Sequence, residues 1–133
     1  MTRRTLVCSV LAAALIGPAL RPALVPAADI VEPHMPGWER WLRVDWQVIQ
    51  RNGRPVLHGS LRNESPYTMT AIQLLVESLD ADGRVVAQRV AWASPGSLEP
   101  FSRTWFDVGV PATAPQYRVR VYTFERLEAP SRE

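Results

Sequence analysis

The chain has 133 residues, and its charged side chains comprise 15 arginines, no lysine and 13 acidic residues, for a formal net charge of +2. This length leaves room for one domain and a leader. Three arginines fall within the first 27 residues, so the rest of the chain carries 12 arginines against 13 acidic residues. Such a balance excludes a strongly basic surface for nucleic acid or for an anionic membrane.

The first 27 residues have the three-part layout of an export signal. Arg3 and Arg4 precede the apolar run Leu6–Leu20, and small residues precede a cleavage site after Ala27. The run has 15 residues, fewer than the roughly 20 that span a bilayer. We therefore predict a cleaved signal, a mature form without a stable membrane span, and a periplasmic or secreted protein. Both the general secretory route and the twin-arginine route fit this leader.

The strongest local signal is a β-hairpin centred on Asn52-Gly53. This dipeptide tolerates the positive φ angles that a two-residue type I′ turn needs. The resulting register puts Trp46 opposite Gly59 and Val48 opposite Leu57 on one apolar face, while the other face is polar. We predict that the apolar face lies in the core and that Gly59 makes room for the Trp46 indole. A shift of one residue would expose the whole apolar set.

Further segments between turn signals have strand-like patterns. The six predicted strands are Leu42–Gln50, Pro55–Arg62, Thr68–Leu79, Arg84–Ala93, Ser102–Val110 and Tyr117–Phe124. Asp80-Ala81-Asp82-Gly83 predicts a turn between the third and fourth strands. Its register stays open, because neither a two-residue nor a four-residue loop puts all the apolar residues on one face.

Short strands separated by Gly, Pro, Asn and Asp turns, without an amphipathic helix, predict an all-β protein. We predict an immunoglobulin-like antiparallel β-sandwich of six to seven short strands, preceded by the export signal. The predicted organisation is a signal peptide over 1–27, a lead-in along the domain edge over 28–40, the sandwich over 41–126 and a flexible tail over 127–133.

Three motifs follow one another along these strands: Gly59-x-Leu61-x-Asn63-x-Ser65, then Val76-Glu77-Ser78-Leu79-Asp80 with Gly83 after it, then Leu98-x-Pro100 leading to Phe106. Together they resemble the FxLYD-type domains of bacterial exported proteins. Of the stretch Phe-x-Leu-Tyr-Asp that names the family, only Asp80 is present, and Phe101 stands where the family usually has Gly. The resemblance spans about Leu42 to Phe124. It implies a small immunoglobulin-like sandwich and export, but no common activity and no catalytic residues.

The residue types offer little for catalysis. Beyond the leader, which contains the single cysteine, the chain has two histidines and no cysteine or lysine. It lacks a Gly-x-Ser-x-Gly elbow, a phosphate-binding Gly-rich loop and a His-Glu-x-x-His motif. Asp80 and Asp82 are explained by their turn, because Asp accepts hydrogen bonds from its own backbone. We predict a protein that is not an enzyme and needs no cofactor.

Binding hypotheses rest on aromatic and soft-ligand side chains. Exposed aromatic rings on a sandwich can anchor a protein or stack on sugars, and the candidate binding residues are Trp38, Trp41, Trp105 and Tyr122. We predict a non-enzymatic protein-interaction or accessory module of the cell envelope, with an envelope protein as its partner. One alternative is a glycan-binding sandwich that uses exposed tryptophan. A second is a periplasmic copper carrier with the soft ligands His34, Met35, His58 and Met69.

Overall fold

Six antiparallel strands dominate the part of the chain that the computed structural model describes, residues 29–94 and 96–128. The strands are β1 (Leu42–Arg51), β2 (Arg54–Asn63), β3 (Thr68–Leu79), β4 (Val85–Ser94), β5 (Arg103–Gly109) and β6 (Gln116–Leu127). A 3-10 turn at Trp38–Arg40 precedes β1. The predicted signal peptide and most of the predicted tail lie outside the described residues.

The strands form two sheets, β1-β2-β5 (the first sheet) and β4-β3-β6 (the second sheet). Consecutive strands β2 and β3, β4 and β5, and β5 and β6 lie in different sheets, as Greek-key connections require. This is the order of immunoglobulin strands A-B-E in one sheet and C′-C-F in the other. The predicted all-β, immunoglobulin-like sandwich is confirmed.

Tyr117 adds a local feature of the immunoglobulin fold. It lies at the start of β6, directly after the connection from β5, and its hydroxyl accepts a hydrogen bond from the Ala114 backbone N–H at 3.0 Å. A tyrosine at this corner, bonded to the backbone a few residues upstream, is the tyrosine corner of immunoglobulin-like domains.

The first hairpin has the predicted register, from Leu42 opposite Asn63 to Arg51 opposite Arg54. Its turn uses positive φ at Asn52 and Gly53. The inward residues of the predicted strands largely form the core, which includes Leu57, Leu61, Ile72, Leu74, Val76, Phe106, Val108, Val119 and Val121.

Two predictions about this hairpin are wrong. Trp46 and Val48 do not lie in a closed core, because 38% and 48% of their surfaces are exposed. Gly59 does not make room for Trp46 either. A Cβ at Gly59 would lie 2.5 Å from Cζ of Phe106 and against the Asp45 carbonyl oxygen, so the Phe106 ring on the neighbouring strand fills this space.

The second hairpin contains a register shift between Ser78 and Leu79, which explains why its register could not be predicted. Leu79 lies opposite Val85 and Ser78 opposite Ala87, so Val86 is an extra residue on β4. A bulge of this kind breaks the strict alternation of faces. The Asp80 carboxylate accepts hydrogen bonds from the backbone N–H groups of Asp82 and Arg84, both at 2.9 Å, which confirms its role in the turn.

Residues 29–34, which we call the strap, cross the outer face of the second sheet instead of following the domain edge. The Val31 backbone N–H donates to Oε1 of Gln88 on β4, and its carbonyl accepts from Nε2 of the same side chain, at 3.0 and 2.9 Å. On β6, Glu32 pairs with Arg120 at 3.0 Å. The His34 N–H then donates to the Tyr122 carbonyl at 2.9 Å.

Under the strap, Glu77 of β3 is fully buried on the outward face of the second sheet. Its carboxylate accepts hydrogen bonds from Arg118 at 2.9 and 3.1 Å, from Arg120 at 2.8 Å and from Gln88 at 3.1 Å. Burial on its own raises the pKa of Glu77, but the bonds and charges of Arg118 and Arg120 outweigh it and lower that pKa. The chain itself therefore covers the part of the outer face around Glu77, whereas Trp92, on the same face of β4, stays 59% exposed.

Candidate functional site

The outer face of the first sheet presents an aromatic and polar surface around Trp105, which we call the Trp105 face. The register of β1, β2 and β5 brings alternate side chains of the three strands to this side. Its members are Asp45, Gln47, Arg51, His58, Ser60, Arg103, Trp105 and Asp107.

Trp105 is the most prominent side chain of this face. Its surface is 61% exposed, although two neighbouring side chains contact the ring. The His58 imidazole lies nearly parallel to it, with the ring centroids 5.6 Å apart and an interplanar angle of 6°. The Arg103 guanidinium carbon lies 5.9 Å from the indole centroid, within cation–π range. The indole is thus both exposed and restrained, which suits a binding anchor.

A chain of charged groups fixes the His58 ring. Its Nδ1 lies 2.6 Å from Oδ1 of Asp107, and Nη1 of Arg51 donates to Oδ2 of the same carboxylate at 3.2 Å. The hydrogen bond from His58, and then that from Arg51, lower the pKa of Asp107. An ionised Asp107 makes Nδ1 the protonated nitrogen of a neutral His58, which leaves Nε2 as an acceptor.

A shallow groove of about 250 Å³ runs beside Trp105. Its lining comprises Asp45, Trp46, Gln47, His58, Gly59, Ser60 and Trp105. The groove combines an aromatic edge with carboxylate, amide and imidazole groups, so it can donate and accept hydrogen bonds beside an apolar contact. Among the described contacts, the His58 ring bonds to Asp107 rather than to the hydroxyl of Ser60.

The structure spreads the four candidate binding residues over different environments. Trp38 lies in the core and is only 9% exposed. Trp41 packs edge-on against Tyr67 at 6.1 Å and lies near the Arg126 guanidinium. Tyr122 is held by the strap, since its hydroxyl lies 2.9 Å from Nε2 of His34. Of these four residues, Trp105 presents the open ring.

The four copper ligands of the alternative hypothesis do not come together as one set, although Met35 and Met69 line the same cavity. His34 lies in the strap over the second sheet and His58 on the outer face of the first sheet. Met69 is fully buried in the core. Over residues 29–94 and 96–128, no three His, Cys, Asp or Glu side chains come together in a group that could hold a metal ion.

Several members of the Trp105 face were missed as binding residues. The first hairpin's register already places Asp45 opposite Ser60 and Gln47 opposite His58 on the polar side. The sequence patterns do not predict which strand lies next to β2. That strand is β5, which places Asp107 opposite His58 and Trp105 opposite Ser60. Trp92, which is 59% exposed on β4, was likewise not predicted as a surface residue.

Comparison with protein-family models, with curated proteins and with solved structures finds no match for this chain. Among the residues whose placement is described, no helix combines the length and the apolar character needed to cross a bilayer.

Proposed function

We propose that this chain is a non-enzymatic protein-interaction module of the cell envelope, and that the Trp105 face is its binding surface. The observation that carries the proposal is the exposure of Trp105, 61% of whose surface is open while His58 and Arg103 restrain the ring. Restrained aromatic side chains with polar neighbours are typical anchors of protein interfaces, because little conformational entropy is lost on binding.

The contrast between the two sheets supports this choice of surface. The strap covers the outer face of the second sheet around Glu77 and pairs with its charged side chains. The corresponding face of the first sheet carries no such cover among the described segments. The charges of the Trp105 face have both signs, with Arg51 and Arg103 beside Asp45 and Asp107, so we expect a partner of mixed charge.

A glycan is the second candidate ligand, because the groove beside Trp105 has the groups that sugars require. Asp45, Gln47 and Ser60 line it next to the indole. Sugar hydroxyls bond to carboxylates and amides, and the apolar side of a sugar ring packs on an aromatic ring. His58 and Arg103 already occupy positions beside the indole, which favours contact with a protein over full stacking of a sugar on the ring.

The test of the proposed function is Trp105→Ala with Trp92→Ala as its matched control. Both tryptophans are about equally exposed, at 61% and 59%, but they lie on different sheets. Truncating an aromatic anchor typically costs about 2 kcal/mol or more of binding free energy. In cross-linking and capture from native envelope extract, Trp105→Ala is expected to lose the partner while Trp92→Ala keeps it.

The outcomes of this test separate the two ligands. Equal capture by both variants would exclude the Trp105 face as the protein-binding surface. Glycan binding is measured by titrating the protein with envelope glycans and following the backbone amide signals of the groove residues Gln47, His58 and Ser60 by NMR. A shift of these amides that Trp105→Ala abolishes, together with unchanged protein capture, would favour the glycan.

Export and the FxLYD-type resemblance remain part of the proposal. The resemblance is supported by the turn Glu99–Ser102, where the Ser102 N–H donates to the Glu99 carbonyl and Phe101 has φ +56°. Positive φ at this turn position favours glycine, the residue that the family usually has there. The motif residue Asn63 also donates to the carbonyls of Leu98 and Glu99 at 3.1 and 3.2 Å, which joins two of the three motifs.

A further inference from the structure

Trp46 and Val48 are exposed although they lie on the inward face of the first sheet. Val48 is opposite Leu57, which is fully buried, and directly opposed residues of an antiparallel pair share a face. Even so, 38% of Trp46 and 48% of Val48 are exposed. The second sheet therefore leaves part of the inward side of β1 uncovered.

The uncovered side chains match a strand position that the immunoglobulin sandwich normally fills. In that fold, strand G pairs with strand F in the sheet that faces strands A, B and E. Here β6 takes the place of F, and β1, which it contacts across the sandwich, takes the place of A. Within the described chain, no strand occupies the position of G beside β6.

The free edge of β6 is partly protected and partly open. At Tyr122 the strap closes it, because the His34 N–H donates to the Tyr122 carbonyl. From Gln116 to Val121, the backbone pairs with β3 and with no other described segment. Unpaired N–H and C=O groups along a strand edge are a template for another strand.

We propose that this edge accepts an extended segment of a partner protein, which pairs with Gln116–Val121 and covers Trp46 and Val48. Pairing provides the backbone hydrogen bonds of strand addition. The side chains of an added strand alternate between two faces, so every second residue would point toward Trp46 and Val48. The segment must therefore be apolar at alternate positions. This binding surface shares Trp46 with the groove beside Trp105, but its strand edge, Gln116–Val121, lies in the other sheet.

The charged side chains beside this edge indicate which residues the added strand should carry on its outward face. Arg118 and Arg120 lie on the outward side of β6, and 38% of the Arg118 side chain is exposed while its Nε and Nη2 bind Glu77. Acidic residues at the outward positions of the added strand would complement these arginines. The β6 strand of a second copy would bring its own arginines there, so a different chain fits better.

The chain's own residues 129–133 do not meet these requirements. Their sequence, Ala-Pro-Ser-Arg-Glu, contains no large apolar side chain to cover Trp46 and includes a proline, which removes a backbone donor. The leader contains the apolar run Leu6–Leu20, and the experiment must therefore distinguish it from a partner segment.

The probe is a synthetic peptide of about eight residues, the length of an ordinary strand, with valine alternating with glutamate and threonine. Its control has the same composition with the alternation broken. The protein, purified from cells that produce the full chain, is titrated with each peptide, and amide exchange of Gln116–Val121 and the indole signal of Trp46 are followed by NMR. We expect the alternating peptide to bind about tenfold more tightly than its control and to slow exchange along this edge.

Val48→Asp and Val90→Asp form the matched pair of variants, because both valines are exposed on edge strands, at 48% and 38%. Val48→Asp is expected to weaken the alternating peptide about tenfold, since it puts a charge on an apolar contact. Val90→Asp and Trp105→Ala are expected to leave its affinity unchanged. The last result separates this edge from the Trp105 face.

Three results would overturn the proposal. The first is equal affinity for the two peptides. The second is an equal loss of affinity in Val48→Asp and Val90→Asp. The third is a full chain, leader included, in which the Trp46 indole and the Gln116–Val121 amides are already protected, since the leader would then be the natural occupant.

Discussion

Gly59 shows at the scale of one residue how closely the strands of the first sheet approach each other. An added Cβ would lie 2.5 Å from Cζ of Phe106 and against the Asp45 carbonyl oxygen. Backbone cannot move aside cheaply, and the Phe106 ring is itself packed in the core. We expect Gly59→Ala to lower the free energy of unfolding by about 1–3 kcal/mol, the usual cost of overpacking.

Urea unfolding measures this change, and Gly96→Ala is its control. Gly96 lies in a connection where an added Cβ has nothing within 4 Å, so this variant is expected to unfold near the wild-type midpoint. Replacing glycine by alanine at an uncrowded position normally stabilises a fold, because it restricts the unfolded chain. Loss of stability in Gly96→Ala as large as in Gly59→Ala would therefore show that the contact with Phe106 is not the cause.

The sequence marks Gly59 as a residue that makes space but does not reveal that the space holds the Phe106 ring rather than the Trp46 indole. The hairpin register determines which residue lies opposite Gly59 on β1, and that residue is Trp46. The ring that fills the space comes from β5 on the other side, where Phe106 lies opposite Gly59. The pairing of β2 with β5 is long-range, and no local pattern of turns or alternation determines it.

At the scale of elements, Gln88 is the residue through which β4 holds the strap. Its amide bonds to both backbone groups of Val31 and also donates to Glu77. We expect Gln88→Ala to cost about 1–2 kcal/mol of unfolding free energy, because the net value of each such bond is about 1 kcal/mol and some are replaced by water. The Val31 amide should also exchange faster with solvent.

Gln116→Ala is the control for the strap. Gln116 is exposed and makes one long hydrogen bond, 3.4 Å to the Ala81 carbonyl, so its loss is expected to leave both stability and Val31 exchange unchanged. A Gln88→Ala protein with wild-type exchange at Val31 would mean that the ion pair of Glu32 with Arg120 suffices to hold the strap.

The elements differ in how far the sequence determines them. The first hairpin was predicted residue by residue, because Asn52-Gly53 fixes the turn and the alternation on both strands agrees with it. The register of the β3–β4 hairpin could not be predicted in this way, because the bulge at Val86 breaks the alternation. The strap has no periodicity at all. Its position depends on bonds to side chains far along the chain, such as Gln88 and Arg120. The local sequence therefore does not reveal that it crosses the second sheet.

On the scale of the whole molecule, the sequence predicts one sandwich but not how completely each face is covered. Alternation marks Glu77 as an outward residue, and outward normally means solvated. The strap instead buries it between Arg118 and Arg120. The opposite happens at Trp46 and Val48, which alternation marks as inward and which remain exposed because no described strand lies over them.

The buried Glu77 makes the stability of the whole fold depend on pH. Burial raises the pKa of Glu77, but Arg118 and Arg120 lower it by more than burial raises it. The pKa in the folded protein therefore lies below the ordinary 4.5. The folded protein therefore binds this proton more weakly than the unfolded chain does. The stabilisation is complete above about pH 4.5 and is lost as the pH falls through the folded pKa. We expect the free energy of unfolding, measured in urea, to fall steadily on acidification below this point.

Two variants assign this acid sensitivity to its source. Glu77→Gln cannot take up the proton, so its stability is expected to be lower than that of the wild type at pH 7 and to vary less below pH 4.5. Asp107→Asn removes the other carboxylate with a lowered pKa, but this group is exposed, and solvent screens its interactions with His58 and Arg51. It should therefore remove a smaller part of the acid sensitivity. Parallel curves for the wild type and Glu77→Gln would instead place the acid-sensitive group elsewhere than under the strap.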